Sequence, residues 1–364
     1  MARGRRGSPG DRRSPRPASG QGNRLNVPTG RTAPRIRAAI PVYAVPATLG
    51  GALIGIAVTG AGAANGIVDP PTAVLVGIPV ARALLAVAAV ATVGLSLLPI
   101  LVRDERVPVT EPVLAVARRA ATVTALLWAT CAMVVLVLQV AELHGTTTAI
   151  GVGDLREYAT QVAGGRALVI VAALALAHVA LGAVAVRAGE KVPAEARTGL
   201  ALFALLPLPV TGHASTWDRH EYLSMAVELH VLGASAWAGG LAALLLLAGN
   251  RRLLATAVPR FSVLATICLL LTAVTGLASA FAAFDQQGTL GFTAALGTGY
   301  GQLVIAKVVC LAAIGLLGAR LRFRLVPRIA RHVPTAFASW AGLELALMGL
   351  AFGFAVVLSR TAVG

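Results

Sequence analysis

The sequence predicts an all-α fold, a polytopic integral membrane bundle of about nine transmembrane helices. Three observations carry this. Of 364 residues, 57% are apolar and 13% charged, whereas an ordinary soluble domain is roughly one-quarter charged. Apolar runs long enough to cross a bilayer as a helix, roughly 20 residues, recur along most of the chain. The basic residues gather in one tail and in alternate short loops. The net charge of +16 would fit a nucleic-acid partner if it were spread over a surface. Its confinement to a tail and alternate loops points to a membrane protein oriented by its loops, so no nucleic acid is expected.

Residues 1–37 hold ten arginines and a single acid, Asp11. Such a segment cannot bury enough apolar surface to fold, so it reads as a disordered basic cytoplasmic tail able to touch anionic lipid. Spans are predicted at 38–60, 73–102, 112–143, 166–187, 197–211, 220–249, 262–284, 301–320 and 335–359. The fifth is the shortest and carries Pro207 and Pro209, which neighbouring helices must accommodate. With the N-terminus inside, inner segments hold 25 Lys and Arg and outer segments 4, while Arg82 and Lys307 fall within spans. That asymmetry obeys the positive-inside rule, favours an odd number of spans and places the C-terminus outside. The chain then divides into the tail, four spans over 38–196 and five over 197–364.

Cys131, Cys268 and Cys310 each lie inside an apolar run and read as small apolar filler, not a disulfide framework. No cleavable signal peptide, Walker A motif, HExxH or Ser/His/Asp arrangement is recognised, so neither ATP-driven work nor hydrolysis is expected and the chain is not read as an enzyme.

The stretch 211–241, TGHASTWDRHEYLSMAVELHVLGASAWAGGL, gathers His213, His220, Glu221, Met225, Glu228 and His230 at the start of the sixth span. Ionisable groups in such a segment are costly and usually face a protein interior. Imidazole and thioether donors suit copper, while buried histidines also suit haem or a proton. Ordinary interfacial polar residues are the bland alternative. His213 and His220 flank a short outer loop, and His230 lies about 15 Å deeper on helical geometry. Glu221 and Glu228 share one helix face, and His230 shares another with Trp237. Small residues around His230 (Gly233, Ala234, Gly239, Gly240) let a second helix approach.

Elsewhere, Arg82, Lys307, Glu344 and His178 are intramembrane polar groups, either proton-linked or internal ion pairs, with Glu344 expected to pair with Arg82 or Lys307. Trp340, Glu344 and Met348 share a face of the last helix at four-residue spacing. His178 and His230, on different helices, could together ligate a haem.

TGHAS (211–215) followed by HVLGASAWAGGL (230–241) resembles the signature of the copper resistance D (CopD) family of bacterial membrane proteins. PRFSVLAT (259–266), TAVTGLASA (272–280), GTGYGQLVIAK (297–307) and Glu344 agree in order and spacing over about the last 45% of the chain. Residues 68–99 resemble the N-terminal helices of actinobacterial versions, which often carry a fused cytochrome c oxidase assembly (CtaG-like) domain. That domain is expected to be absent from this chain.

The resemblance implies copper uptake or delivery from the outer face of the plasma membrane, with His213 and His230 matching the family's histidines. His220, Met225 and Glu228 are further candidates on geometry. Implied partners are the copper ion, the lipid bilayer, and an extracytoplasmic copper chaperone or an oxidase assembly factor. A haem-binding electron-transfer protein and a non-transporting copper-holding factor are the competing readings.

Overall fold

The computed structural model describes residues 39–59, 71–147, 150–211, 220–286, 297–331 and 337–360. Among them there is no strand, and seven helices are long and apolar enough to cross a membrane. The chain runs α1 (Ala39–Thr59), α2 (Thr72–Leu101), α3 (Val107–His144), the short α4 (Val152–Gln161), α5 (Ala163–Ala188), α6 (Ala194–Phe203), α7 (His220–Leu244), α8 (Arg251–Gln286), α9 (Gly299–Arg320), the short α10 (Val326–Ala330) and α11 (Phe337–Leu358). α1 has 21 residues and is the shorter apolar helix beside the seven.

Three predicted spans differ from what is observed. The seventh, predicted from 262, begins eleven residues earlier, so that α8 runs over Arg251–Gln286 and takes in Arg251, Arg252 and Arg260. The fifth is no continuous span: α6 covers only 10 residues, then turns and ends in a 3-10 turn at Leu208–Thr211. Pro207 and Pro209 remove main-chain donors there and clash with a preceding helical turn. The third begins five residues earlier than predicted, at Val107 with a proline in its first turn, where the missing N–H costs nothing. The earlier start brings Glu111 into α3, where it pairs with the buried Arg118. Arg197, the first residue of the predicted fifth span, is buried at 1% exposure on α6.

Neighbours at the helix ends fix relative direction. On one side, Arg260 pairs with Asp104 and Arg252 with Glu105, and Arg322 of the π-turn after α9 donates to Thr266 at 2.7 Å. On the other, Arg360 pairs with Glu142, Arg82 donates to Ser359 at 3.5 Å, and α4 packs on the start of α5 through Tyr158 and Gly165. Consecutive long helices therefore alternate in direction. α5 and α7 are the exception and run the same way.

Glycines set the closest crossings. A methyl at Gly94 would meet the Gly239 oxygen at 1.9 Å, and one at Gly353 the Thr48 oxygen at 2.3 Å. α2 and α7 thus cross backbone to backbone. α1 and α11 run parallel along Gly51-x-x-x-Gly55 and Gly349-x-x-x-Gly353. In hydrocarbon, burying apolar area does not drive association; close packing of small residues does. The outward faces are apolar: Val263, Ile267, Leu270, Val274, Leu277 and Phe281 form an exposed stripe at helical spacing on α8, the surface a bilayer covers.

Candidate functional site

His230 sits on α7 with its ring against α8. Its Nδ1 lies 3.0 Å from the main-chain oxygen of Thr272 and 3.3 Å from Thr275 Oγ1. A carbonyl oxygen only accepts, so Nδ1 carries the hydrogen and the neutral ring's lone pair resides on Nε2. The Thr275 hydroxyl is itself oriented, donating to the Leu271 oxygen at 2.6 Å. Gly276 completes the cradle, since a methyl there would stand 2.9 Å from His230 Cε1. Lys307 on α9 is near enough for its charge to act on the ring. Thr272, Thr275 and Gly276 belong to the TAVTG string, but a helical string alone does not say which helix it faces, so their role was not legible in the sequence.

Below His230 the same face of α7 continues through Gly233 to Trp237. A methyl at Gly233 would lie 3.1 Å from Thr272 Oγ1, and that buried hydroxyl has no hydrogen-bond partner. Trp237 is buried at 5% exposure. Its side chain is within interaction range of Glu344, although the indole N–H reaches no acceptor in hydrogen-bonding geometry. Glu344 of α11 is buried at 4% exposure, with Oε1 3.8 Å from where a methyl on Gly318 would stand.

The expected pairing of Glu344 with Arg82 or Lys307 is not observed. Among the described residues neither Glu344 nor Lys307 forms an ion pair. Gly318, which faces Glu344, is three helical turns from Lys307 on α9, about 16 Å along the axis. Arg82 lies among Ser359, Arg360, Tyr158 and Glu142 instead.

His178 occupies a different interface. It is fully buried, with Nε2 3.0 Å from Ser96 Oγ and Arg197 of α6 beside it. α5 and α7 share no substantial packing face, so His178 and His230 do not flank one gap as two axial haem ligands would, and haem finds no support.

Of the other candidates, Glu228 is half-buried and Met225 is 55% exposed. His213 lies outside the described residues, and the His220 and Glu221 side chains are likewise not described. Among the described residues no three His, Cys, Asp or Glu side chains converge. His230 therefore offers one free imidazole nitrogen.

The geometry is that of a multi-pass helical membrane protein with polar side chains held in its interior. The family model for copper resistance protein D matches residues 255–358, and that for the copper resistance protein D-like N-terminal domain matches 69–220. The chain belongs to the copper resistance protein D family. It is accordingly a copper resistance membrane protein, of a family not known for enzymes. No curated protein and no solved structure matches it significantly. Thr272, Thr275, Gly276, Lys307 and Glu344 lie in the segment 255–358 and His178 in 69–220, whereas His230 falls between the two.

Proposed function

We propose that this protein captures copper at the outer face of the plasma membrane and passes it inward along α7. His213 and His220 form the mouth, with Met225 and Glu228 below, and His230 is the first ligand inside the bundle. The observation that carries this reading is the fixed His230 ring. Its Nδ1–H is committed to the Thr272 carbonyl, so Nε2 is presented as a ligand in a set orientation, the arrangement that metal-binding histidines use. Imidazole and thioether accept Cu(I), and the membrane potential favours inward movement by about 2.3 kcal/mol per charge per 100 mV, without ATP.

In this reading the chain crosses the bilayer nine times, with the N-terminus inside and the C-terminus outside. α1 and the broken 194–211 segment complete the count, because α5 and α7 run in the same direction. Residues 38–196 form a four-span unit and 197–364 a five-span unit.

The test is Cu(I) stoichiometry and affinity of the purified protein, compared with His213→Ala and His230→Ala, together with copper uptake into proteoliposomes. Both variants are expected to lose affinity and uptake. Full stoichiometry and affinity in both would end the assignment, and copper held but never internalised would replace transport with a holding role. A Soret band in the purified protein would restore haem.

A further inference from the structure

Between His230 and the inner end of α7 the bundle interior carries an acid with no basic partner. Glu344 is buried and forms no ion pair among the described residues. The Trp237 indole lies within interaction range of it, and the buried Thr272 hydroxyl has no hydrogen-bond partner among the described residues. Met348, one turn from Glu344 on the same face of α11, is buried in the cluster that contains Trp237. A buried carboxylate asks for a positive partner.

We propose that Glu344, Trp237 and Met348 form a second, inner copper(I) station. Trp237 lies seven residues beyond His230 on the same face of α7, about 10 Å further in. α11 runs opposite to α7, so Met348 falls between the two levels, about 6 Å outward of Glu344. An ion moving inward thus meets imidazole, then thioether, then carboxylate with an indole beside it. The donors match a soft monovalent cation: thioether is a soft ligand, and one carboxylate neutralises one positive charge. The absence of an ion pair at Glu344 is then functional, since a resident Arg or Lys would fill the station. Bare Gly318 opposite the carboxylate keeps side-chain bulk away from it.

This inference rests on the copper reading, and its test separates the two. Purified protein is titrated anaerobically with Cu(I) against a chromophoric Cu(I) chelator, while tryptophan fluorescence and the copper X-ray absorption edge region are followed. The wild type is expected to bind one ion more than Glu344→Gln or Met348→Leu. Both variants should keep the ion that His230→Ala loses, and extended fine structure should report a sulfur scatterer that Met348→Leu removes. Copper should quench part of the fluorescence, and Trp237→Phe should abolish that part. Elution as a monodisperse species in detergent controls for folding. Uptake into proteoliposomes should fall at least tenfold in Glu344→Gln and recover in part with Glu344→Asp. Unchanged stoichiometry, quenching and uptake in Glu344→Gln and Met348→Leu would overturn the inner station and leave the outer one standing. A wild type that binds no copper would overturn both.

Discussion

His230 Nδ1 and the main-chain oxygen of Thr272 are 3.0 Å apart, and this one contact fixes the tautomer, the ring plane and the direction of the remaining lone pair. Thr272 is held by its own helix, so α8 acts as the rigid backing of a ring carried on α7. In the proposed copper reading, the aim of that ring depends on residues that never touch an ion.

The cradle can be tested without altering the histidine. Gly276→Ala would place a methyl 2.9 Å from His230 Cε1 and 3.2 Å from Nδ1, and the ring must swing away from Thr272. Loss of an orienting partner typically costs 10–100-fold in metal affinity. A drop in that range is expected for Gly276→Ala. Thr275→Val removes only the longer, 3.3 Å contact and should cost no more than a few-fold. Cu(I) competition titrations of both variants check the order; equal effects would mean the ring is not held as described.

The crossing of α2 and α7 sets how firmly the His230 helix is seated. A methyl on Gly239 would lie 2.3 Å from the Val90 oxygen and 3.1 Å from Gly94 Cα. Main-chain atoms cannot yield as a flexible side chain can, so the helices must separate. Overpacking of this kind costs about 1–3 kcal/mol, occasionally more. Gly239→Ala is expected to lower the thermal inactivation temperature in detergent, while Gly153→Ala, with open space around it, should leave it unchanged.

The bundle was legible in the sequence because hydropathy and loop charge are local quantities, and helix positions followed from them within a few residues at most ends. The fifth span was misread because apolar content is blind to backbone continuity: Pro207 and Pro209 break a segment that reads as uniformly hydrophobic. The candidate ligands on α7 were visible as rare polar residues in an apolar run. Their surroundings were not, because Thr272 is 42 positions from His230 and Glu344 is 107 from Trp237. Arg82 was expected to meet Glu344. Its position ten residues into α2 instead puts it on the side where α3 and α11 end, beside Glu142 and Arg360.

The cluster of Arg82, Glu142 and Arg360 fastens the end of α11 to the first half of the molecule. Arg360 and Glu142 are 17% and 10% exposed and paired. Breaking a buried pair from one side leaves a buried charge, typically at about 3–5 kcal/mol. Arg82 beside Arg360 relieves part of that by staying near Glu142. Arg360→Ala is therefore expected to destabilise by about 2–3 kcal/mol, and Arg360→Ala with Glu142→Gln by less than Arg360→Ala alone. A double-mutant cycle on thermal stability in detergent measures the difference; strictly additive effects would show that the pair contributes nothing.

On the opposite side Glu105 accepts from Thr256 Oγ1 at 2.6 Å and from Arg252 Nε at 2.8 Å. The Thr256 hydroxyl first, and then Arg252, hold this carboxyl below the ordinary glutamate value of 4.5. A depressed acid contributes stability above its unfolded-state value and loses it as pH falls through the folded value. The contribution should thus be complete at neutral pH and fade only below about pH 4.5. Glu105→Gln is expected to flatten the acid limb of the stability profile with little change in its shape at neutral pH. An altered slope between pH 6 and 8, tested because histidine titrates there, would assign the effect elsewhere.

Lys307 bears on how an ion leaves His230. Its charge acts on the ring, and no acid among the described residues pairs with it. If copper binds at Nε2 as proposed, this charge weakens its hold there and favours its passage toward Glu344. Two unit charges about 8–15 Å apart at an effective dielectric of about 20 repel by about 1–2 kcal/mol, a factor of roughly 5–30 in affinity. Lys307→Met keeps the length of the side chain and removes the charge. The variant is expected to bind copper at His230 more tightly by roughly that factor and to release it more slowly into proteoliposomes, so that affinity rises while turnover falls. Stopped-flow release and equilibrium titration on the same preparation check this. A variant that bound more weakly would make Lys307 a supporting group of the site and not the charge that pushes the ion onward.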